Sequence, residues 1–298
     1  MSSNTGIWTF RYQPDKFDDM ILSNDMRAIL GKVIKEIPNI MLVGNAGVGK
    51  GTFTNVLLKE TKLDYMKINC SDETSIDAMR TKVKSFATAL GVTPLKIVVL
   101  NEMDFLSIQG QAMLRDLMES VQGITRFILQ CNYGSKVIPE LQSRCQVIEL
   151  NGPPMKDIGI HCLKILKAEG VVIKNKSVIS DTIKKLYPDI RKIINTLQMN
   201  TVNGVIDSVK LEQVNDVYSE IVKMIKSQDL DGIRKSLRSN AIDYPELYSY
   251  IFEVAGEFNS PGDIILLVGE HLYRDSIIAI KEINFMSFVV ETIKRGII

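Results

Sequence analysis

A chain of 298 residues with 45% hydrophobic and 24% charged side chains has the composition of an ordinary soluble globular protein and the length of about two domains. A formal charge of only +1 excludes a whole-molecule field for holding nucleic acid, so any such site is a local patch. Two histidines and four cysteines without a CxxC pair (Cys70, Cys131, Cys145, Cys162) supply a zinc site poorly and read as reduced, intracellular thiols.

In chain order, the first thirty residues carry Arg11, Asp15, Asp18, Asp19 and Asp25, which is no signal peptide, and no uncharged apolar run reaches bilayer length. Short apolar runs at 39–43, 65–70, 95–100, 124–131 and 146–150 predict strands, and the patterns at 52–61, 76–90 and 109–121 predict helices. That alternation implies an α/β domain with a parallel sheet covered on both faces. After Asn151, Gly152, Pro153 and Pro154 strand-like runs nearly vanish, and a domain boundary is expected there. Several helices are expected from 155 to about 205, one opening near Asp189 after Pro188. Leu211, Val214, Tyr218, Ile221, Val222 and Ile225 then recur at three- and four-residue steps, the apolar face of a long helix. Ser260 is placed to cap a helix with Pro261 in its first turn, followed by Ile264, Ile265, Leu267 and Val268. There is no internal repeat and no low-complexity tract.

The run Gly44, Asn45, Ala46, Gly47, Val48, Gly49, Lys50, Gly51, Thr52 follows the apolar Ile40–Val43 and precedes a helical pattern. The spacing lets backbone N–H groups converge on phosphate oxygens at the positive end of the next helix, with Lys50 as a point charge for the outer phosphates. The hydroxyl expected directly after the lysine is displaced by one place: Gly51 stands there and Thr52 follows. A second signal ends the strand Ile97–Leu100, in Asn101, Glu102, Met103 and Asp104. Acidic groups at such a strand tip serve Mg²⁺ and the attacking water. Glu102 is placed as the base or water-orienting residue, whereas Asn101 stands where an aspartate would hold the metal's hydration shell and lacks the charge. Nucleotide binding is well supported by these residues; metal handling is not.

Trp8, Arg11, Tyr12 and Pro14, the loop at 44–52, the segment 101–104, Cys131 with Asn132, the triplet Ser143, Arg144, Cys145, and the run from Tyr187 to Lys192 occur in the order seen in clamp loaders. On these residues the chain resembles the AAA+ ATPase subunits of sliding-clamp loaders, close to replication factor C small subunits and similar in compactness to the bacteriophage version. The resemblance covers 8–200 well and 201–298 only in helical character. It implies an AAA+ P-loop NTPase domain at 1–150, a helical lid at 151–207 and an all-helical collar for oligomerisation at 208–298. The implied function is an ATP-dependent subunit, stimulated by DNA and clamp, that opens the sliding clamp and loads it onto primer-template DNA during replication. ATP and Mg²⁺ are the implied cofactors. The implied partners are primer-template DNA, the sliding clamp and other loader subunits in a pentameric hetero-oligomeric ring or spiral, with no membrane. The setting would be the host cytoplasm for a phage protein and the nucleus for a eukaryotic one.

By the same resemblance, Arg11, Tyr12 and the residues 44–52 bind nucleotide, Thr52 and Asn101 face the metal, and Glu102 activates water. Asn132 is the first sensor near the terminal phosphate. Arg191 is the second sensor, a lid arginine reaching phosphate on the same subunit. Arg144 is the arginine finger that enters the neighbouring subunit's site, a role worth about 10³ or more in rate in related NTPases. Arg80 and Lys84, four apart on one helix face, would follow a DNA phosphate backbone through counterion release. Gln111 and Arg115 would couple the DNA face to the nucleotide site.

Each role has a plainer alternative. The alternative for Arg144 is an ordinary salt-bridged arginine, for Asn132 a turn residue before Tyr133 and Gly134, and for Arg191 a helix residue beyond a proline, and the finger and sensor roles are the favoured readings of the two arginines. Arg80, Lys84, Gln111 and Arg115 are equally solvated helix faces. With Gly51 and Asn101 both on the metal side, slow turnover is expected. Two other functions stay open: a nucleotide-binding structural subunit with weak or no hydrolysis, and a small-molecule phosphotransferase of the Gly-Lys-Gly-Thr kind.

Overall fold

The computed structural model describes residues 6–298 apart from 72–75, 90, 92, 94, 176, 210–213 and 241. The chain divides into two compact units, Met1–Val209 and Lys210–Ile298. The first begins with α1 (Trp8–Arg11) and α2 (Asn24–Glu36) and then alternates strand and helix. In order these are β1 (Ile40–Val43), α3 (Lys50–Thr61), β2 (Asp64–Asn69), α4 (Ile76–Thr88), β3 (Lys96–Asn101), α5 (Ile108–Ser120), β4 (Thr125–Cys131), α6 (Pro139–Gln142) and β5 (Gln146–Glu149).

The five strands form one parallel sheet in the order β2-β3-β4-β1-β5. Parallel strands need helical crossovers that bury both faces, so β1, β3 and β4 read as nearly unbroken apolar runs. One face packs Met41, Val98, Leu100, Phe127 and Leu129 against α4 and α5. The other packs Ile40, Leu42, Ile97, Val99 and Ile128 against α2 and α3. Because β3, β4 and β1 are neighbours, the residues leaving their carboxyl ends (101–104, 132 and 44 onward) meet along one edge. The strand order thereby creates the site.

Beyond Pro154 come α7 (Met155–Ala168), β6 (Val172–Ile173), α8 (Ser177–Leu186), α9 (Ile190–Met199) and β7 (Val205–Ile206), where β6 and β7 pair in parallel. Ile158, Cys162, Ile165, Leu166, Ile183, Ile193 and Leu197 make their core, and Trp8 of α1 is buried among them. A buried large apolar side chain contributes about 1.5–3 kcal/mol. The clasp is reinforced by Gln198, whose Oε1 accepts from Trp8 N at 2.9 Å and whose Nε2 donates to the Gly6 carbonyl at 2.5 Å.

The second unit contains α10 (Val214–Lys226), α11 (Leu230–Ser239), α12 (Tyr244–Glu253), α13 (Pro261–Asp275) and α14 (Lys281–Lys294). Tyr218, Ile221, Val222 and Ile225 form the buried face of α10, as the periodicity predicts, while Leu211 and the side chain of Val214 lie outside the described residues. Ser260 occupies the position before α13, but its side chain makes no capping hydrogen bond. The expectation of a hydroxyl cap there is corrected: Pro261 supplies the fixed φ that starts the turn.

Candidate nucleotide site

Among the described residues, five helices open on a side chain that closes the first turn: Ser23, Ser107, Asp189, Asp229 and Asp243 each accept from a backbone N–H three residues on. α3 opens on Gly49, at φ 107°, which has no side chain to do so. The first-turn N–H groups of α3 therefore stay available to an anion. The helix takes in Lys50, Gly51 and Thr52, two residues earlier than the pattern predicts. Gly47, at φ 74°, has a second constraint: a Cβ there would collide with Asp189 Oδ1, the residue that caps α9. The loop and the lid helix thus meet backbone to side chain.

Lys50 Nζ donates to the Gly44 carbonyl at 2.5 Å, the Asn45 carbonyl at 2.9 Å and Asn132 Oδ1 at 2.8 Å. Asn132 is thus a partner of the phosphate-loop lysine, and the plain turn-cap reading does not describe its side chain. Burial depresses the Lys50 pKa, and nearby Arg191 pushes the same way, while Cys131 and Asp104 oppose it. Arg191 lies in the first turn of α9, two residues beyond Asp189, which meets Gly47 of the loop. Arg191 is exposed and makes no ion pair with a carboxylate among the described residues.

On the metal side, Asn101 Oδ1 and Asp104 Oδ1 are buried with no hydrogen-bond donor. Leaving such an acceptor unpaired costs about 1–3 kcal/mol. These two orphaned oxygens at the strand tip are of the donor type that a hydrated Mg²⁺ takes. Among the described residues no group of three or more His, Cys, Asp or Glu side chains could hold a metal by itself. Such an ion would rest chiefly on phosphates and water. Asp104 belongs to the acidic strand tip that the sequence pattern marks, although that pattern gives it no individual role. Glu102 is exposed and sits at φ 58°, a left-handed conformation unusual outside glycine. Cys70 and Cys131 border this region, and burial raises their thiols to about 12 and about 11, which keeps them protonated and inert.

The remaining predicted residues fall around this centre. Gln111 is only 1% exposed. Its Nε2 donates at 3.0 Å to the carbonyls of Leu106 and Lys136, and its Oε1 accepts from Ile138 N at 2.8 Å. This corrects the solvated-face alternative for Gln111: the side chain ties the loop after β3 to the loop after β4. Arg115, one turn on, pairs instead with Asp116 at 2.7 Å. Arg11 Nη1 and Tyr12 OH each donate at 2.6 Å to Glu169 Oε1, at the end of α7. Hydrogen bonding from Tyr12, then from Arg11, holds that carboxyl below its usual range. In this structure both residues join the amino-terminal segment to the lid. Arg144 is held by Glu119 on its own chain.

Arg80 and Lys84 are both exposed on α4, opposite the buried Met79, Val83 and Ala87. The last turn of α4 is anchored by Lys96 of β3, whose buried ammonium donates to the carbonyls of Phe86 and Ala89. Phe105 and Ile108, just past the strand tip, are 65% and 75% exposed.

The sheet order, the glycine-opened helix and the lid set against it define a P-loop nucleoside triphosphatase of the AAA class. Residues 40–152 match the model of the ATPase family associated with various cellular activities, and 153–211 match the AAA+ ATPase lid domain of the sliding-clamp-loader large subunit. The replication factor C small subunit of Sulfurisphaera tokodaii is 32% identical over 294 residues, 90% of this chain and 89% of that protein. That of Methanococcus maripaludis (strain C5) is 34% identical over 222 residues, 72% and 70%. With the Methanococcus vannielii protein the match is 34% over 200 residues and spans 63% of that relative. Among solved structures, the Thermotoga maritima RuvB Holliday junction branch migration motor superposes with a TM-score of 0.55 at 15% identity, over 82% of this chain and 80% of that one, which is a likeness of fold alone. The chain belongs to the replication factor C small-subunit family of AAA+ ATPases.

Proposed function

We propose that this chain is an ATP-dependent subunit of a sliding-clamp loader, which places the clamp on primer-template DNA and is stimulated by both. The observation that carries the reading is the convergence of the glycine-opened α3, Lys50 with Asn132, the β3 tip and Arg191 on one sheet edge, in a chain whose lid matches that of clamp loaders. A triphosphate on α3 takes over the Lys50 ammonium, whose present partners are three oxygens of the chain itself. Asn132 then sits beside the terminal phosphate, and Arg191 adds charge from the lid. Bound Mg²⁺ would neutralise phosphate charge, with Thr52, Asn101 and Asp104 arranged to hold its water. Glu102 orients the attacking water, and Arg144 reaches the triphosphate of the next subunit. Hydrolysis accordingly depends on an assembled, pentameric ring or spiral.

Arg80 and Lys84 supply phosphate contacts that sum over several subunits along one duplex. Phe105 and Ile108 are apolar groups adjoining the catalytic tip that a protein partner such as the clamp would cover. In the carboxyl-terminal unit, Leu266, Tyr273, Ile277, Ile280 and Ile283 are each exposed, on α13, α14 and the turn between them, which supports that unit as the collar joining subunits. Gly51 and Asn101 weaken the metal side, so turnover is slow without DNA and clamp. No helix among the described residues is long and apolar enough to cross a membrane.

Asn101 also favours a second reading, a subunit that binds nucleotide structurally and lends Arg144 to its neighbour. Glu102→Gln separates the two. For the ATPase reading, nucleotide binding persists while DNA- and clamp-stimulated hydrolysis drops by about 10²–10⁴ and loading cycles stall. Loading that continues unchanged identifies the structural subunit, and rapid turnover by the isolated chain overturns the stimulated-ATPase reading.

A further inference from the structure

The Arg144 guanidinium is engaged on two edges. Nε and Nη2 both donate to Glu119 Oε1, the first at 3.0 Å, and Nη1 donates to the Glu140 carbonyl at 2.7 Å. Glu119 is the second-last residue of α5, the helix that starts just after the β3 tip. Ser107 caps that helix, and buried Gln111 fastens it to the loops following β3 and β4. Glu119 therefore moves with the frame of its own chain's nucleotide site.

We propose that Glu119 is a positioning residue: it stores the Arg144 guanidinium on its own subunit and yields it to the triphosphate of the neighbouring one, restraining hydrolysis in the assembled loader until DNA and clamp are bound. The proposal rests on the reading of Arg144 as the trans-acting arginine. A carboxylate and a phosphate compete for the same planar fork of N–H donors, so the two pairings exclude each other. The energetics suit exchange. Side-chain exposures of 33% for Arg144 and 55% for Glu119 put the pair in the weak class of surface ion pairs, which a multiply charged triphosphate outcompetes. Release leaves Glu119 one helical turn from Arg115 on α5, and Arg115 is already engaged by Asp116 at 2.7 Å. Freeing Arg144 thus changes the charge balance at the end of α5.

The test uses the assembled loader. Glu119→Gln and Glu119→Ala are expected to raise ATP hydrolysis in the absence of DNA and clamp by about two- to five-fold, the worth of such a pair. Nucleotide affinity of the isolated chain should stay unchanged. Combined with Arg144→Ala, neither should hydrolyse faster than Arg144→Ala alone, because the effect runs through that arginine. Glu119 is exposed, so both variants retain the fold. If Arg144→Ala leaves hydrolysis intact, the trans-arginine reading fails and the latch fails with it. If Arg144→Ala abolishes hydrolysis while both Glu119 variants match or fall below the unaltered loader, the latch is wrong and the arginine reading stands.

Discussion

On the phosphate side of the site, Lys50 has three oxygen partners within the chain and Gly47 lies against Asp189, whereas on the metal side Asn101 Oδ1 and Asp104 Oδ1 are buried with no donor at all. The first region is ordered by its own hydrogen bonds and exchanges them for ligand. The second has its hydrogen bonding completed only by what binds there. On the function proposed above, affinity for nucleotide and speed of turnover reside in different residues of one site, and can be altered separately.

The sharpest way to break that contrast is at the lysine. Lys50→Ala removes a charge-assisted phosphate contact of about 1.5–3 kcal/mol, so ATP binding should weaken by roughly ten- to a hundredfold in a titration with a fluorescent analogue. Unchanged affinity would mean that the loop does not hold phosphate. Next in size is Asn101→Asp, which returns a carboxylate to the metal side. Stimulated hydrolysis should rise on the order of tenfold with Mg²⁺, since each ~1.4 kcal/mol lowers the barrier by that factor. The same variant should melt lower without divalent cation and recover with Mg²⁺ and nucleotide, because the new charge is otherwise unpaired. A rate that does not change with Asn101 replaced would assign the slow step elsewhere. The smallest effect lies outside the pocket: Arg80→Ala and Lys84→Ala should each reduce the slope of log affinity for primed DNA against log salt by about 1, equally for all sequences. An unaltered slope would return α4 to the solvated-face reading.

Much of this was legible along the chain. The strand runs at 39–43 and 146–150 match β1 and β5 to within a residue: β1 is apolar throughout because it lies inside the sheet, whereas β5, at the sheet edge, buries only Ile148. The glycine spacing of the loop and the cap at Asp189 are local chemistry and were equally readable. What local pattern does not carry is pairing over distance. Gln111 looks polar and surface-bound until the fold brings it to Lys136 and Ile138; Glu119 meets Arg144 across 25 positions, and Trp8 seats in a core built from Ile158 to Ile206. Asp104 is legible as an acidic group at the strand tip, while the burial of its Oδ1 follows from the short turn after Glu102.

One strand links two of these places without an intervening joint. β3 carries Asn101 at its carboxyl end, and at its amino end Lys96 grips the closing carbonyls of α4. Five residue steps span about 17 Å of stiff backbone. Asn101 and the closing turn of α4 are therefore held at a fixed separation by one strand that is ladder-bonded to a neighbour on each side.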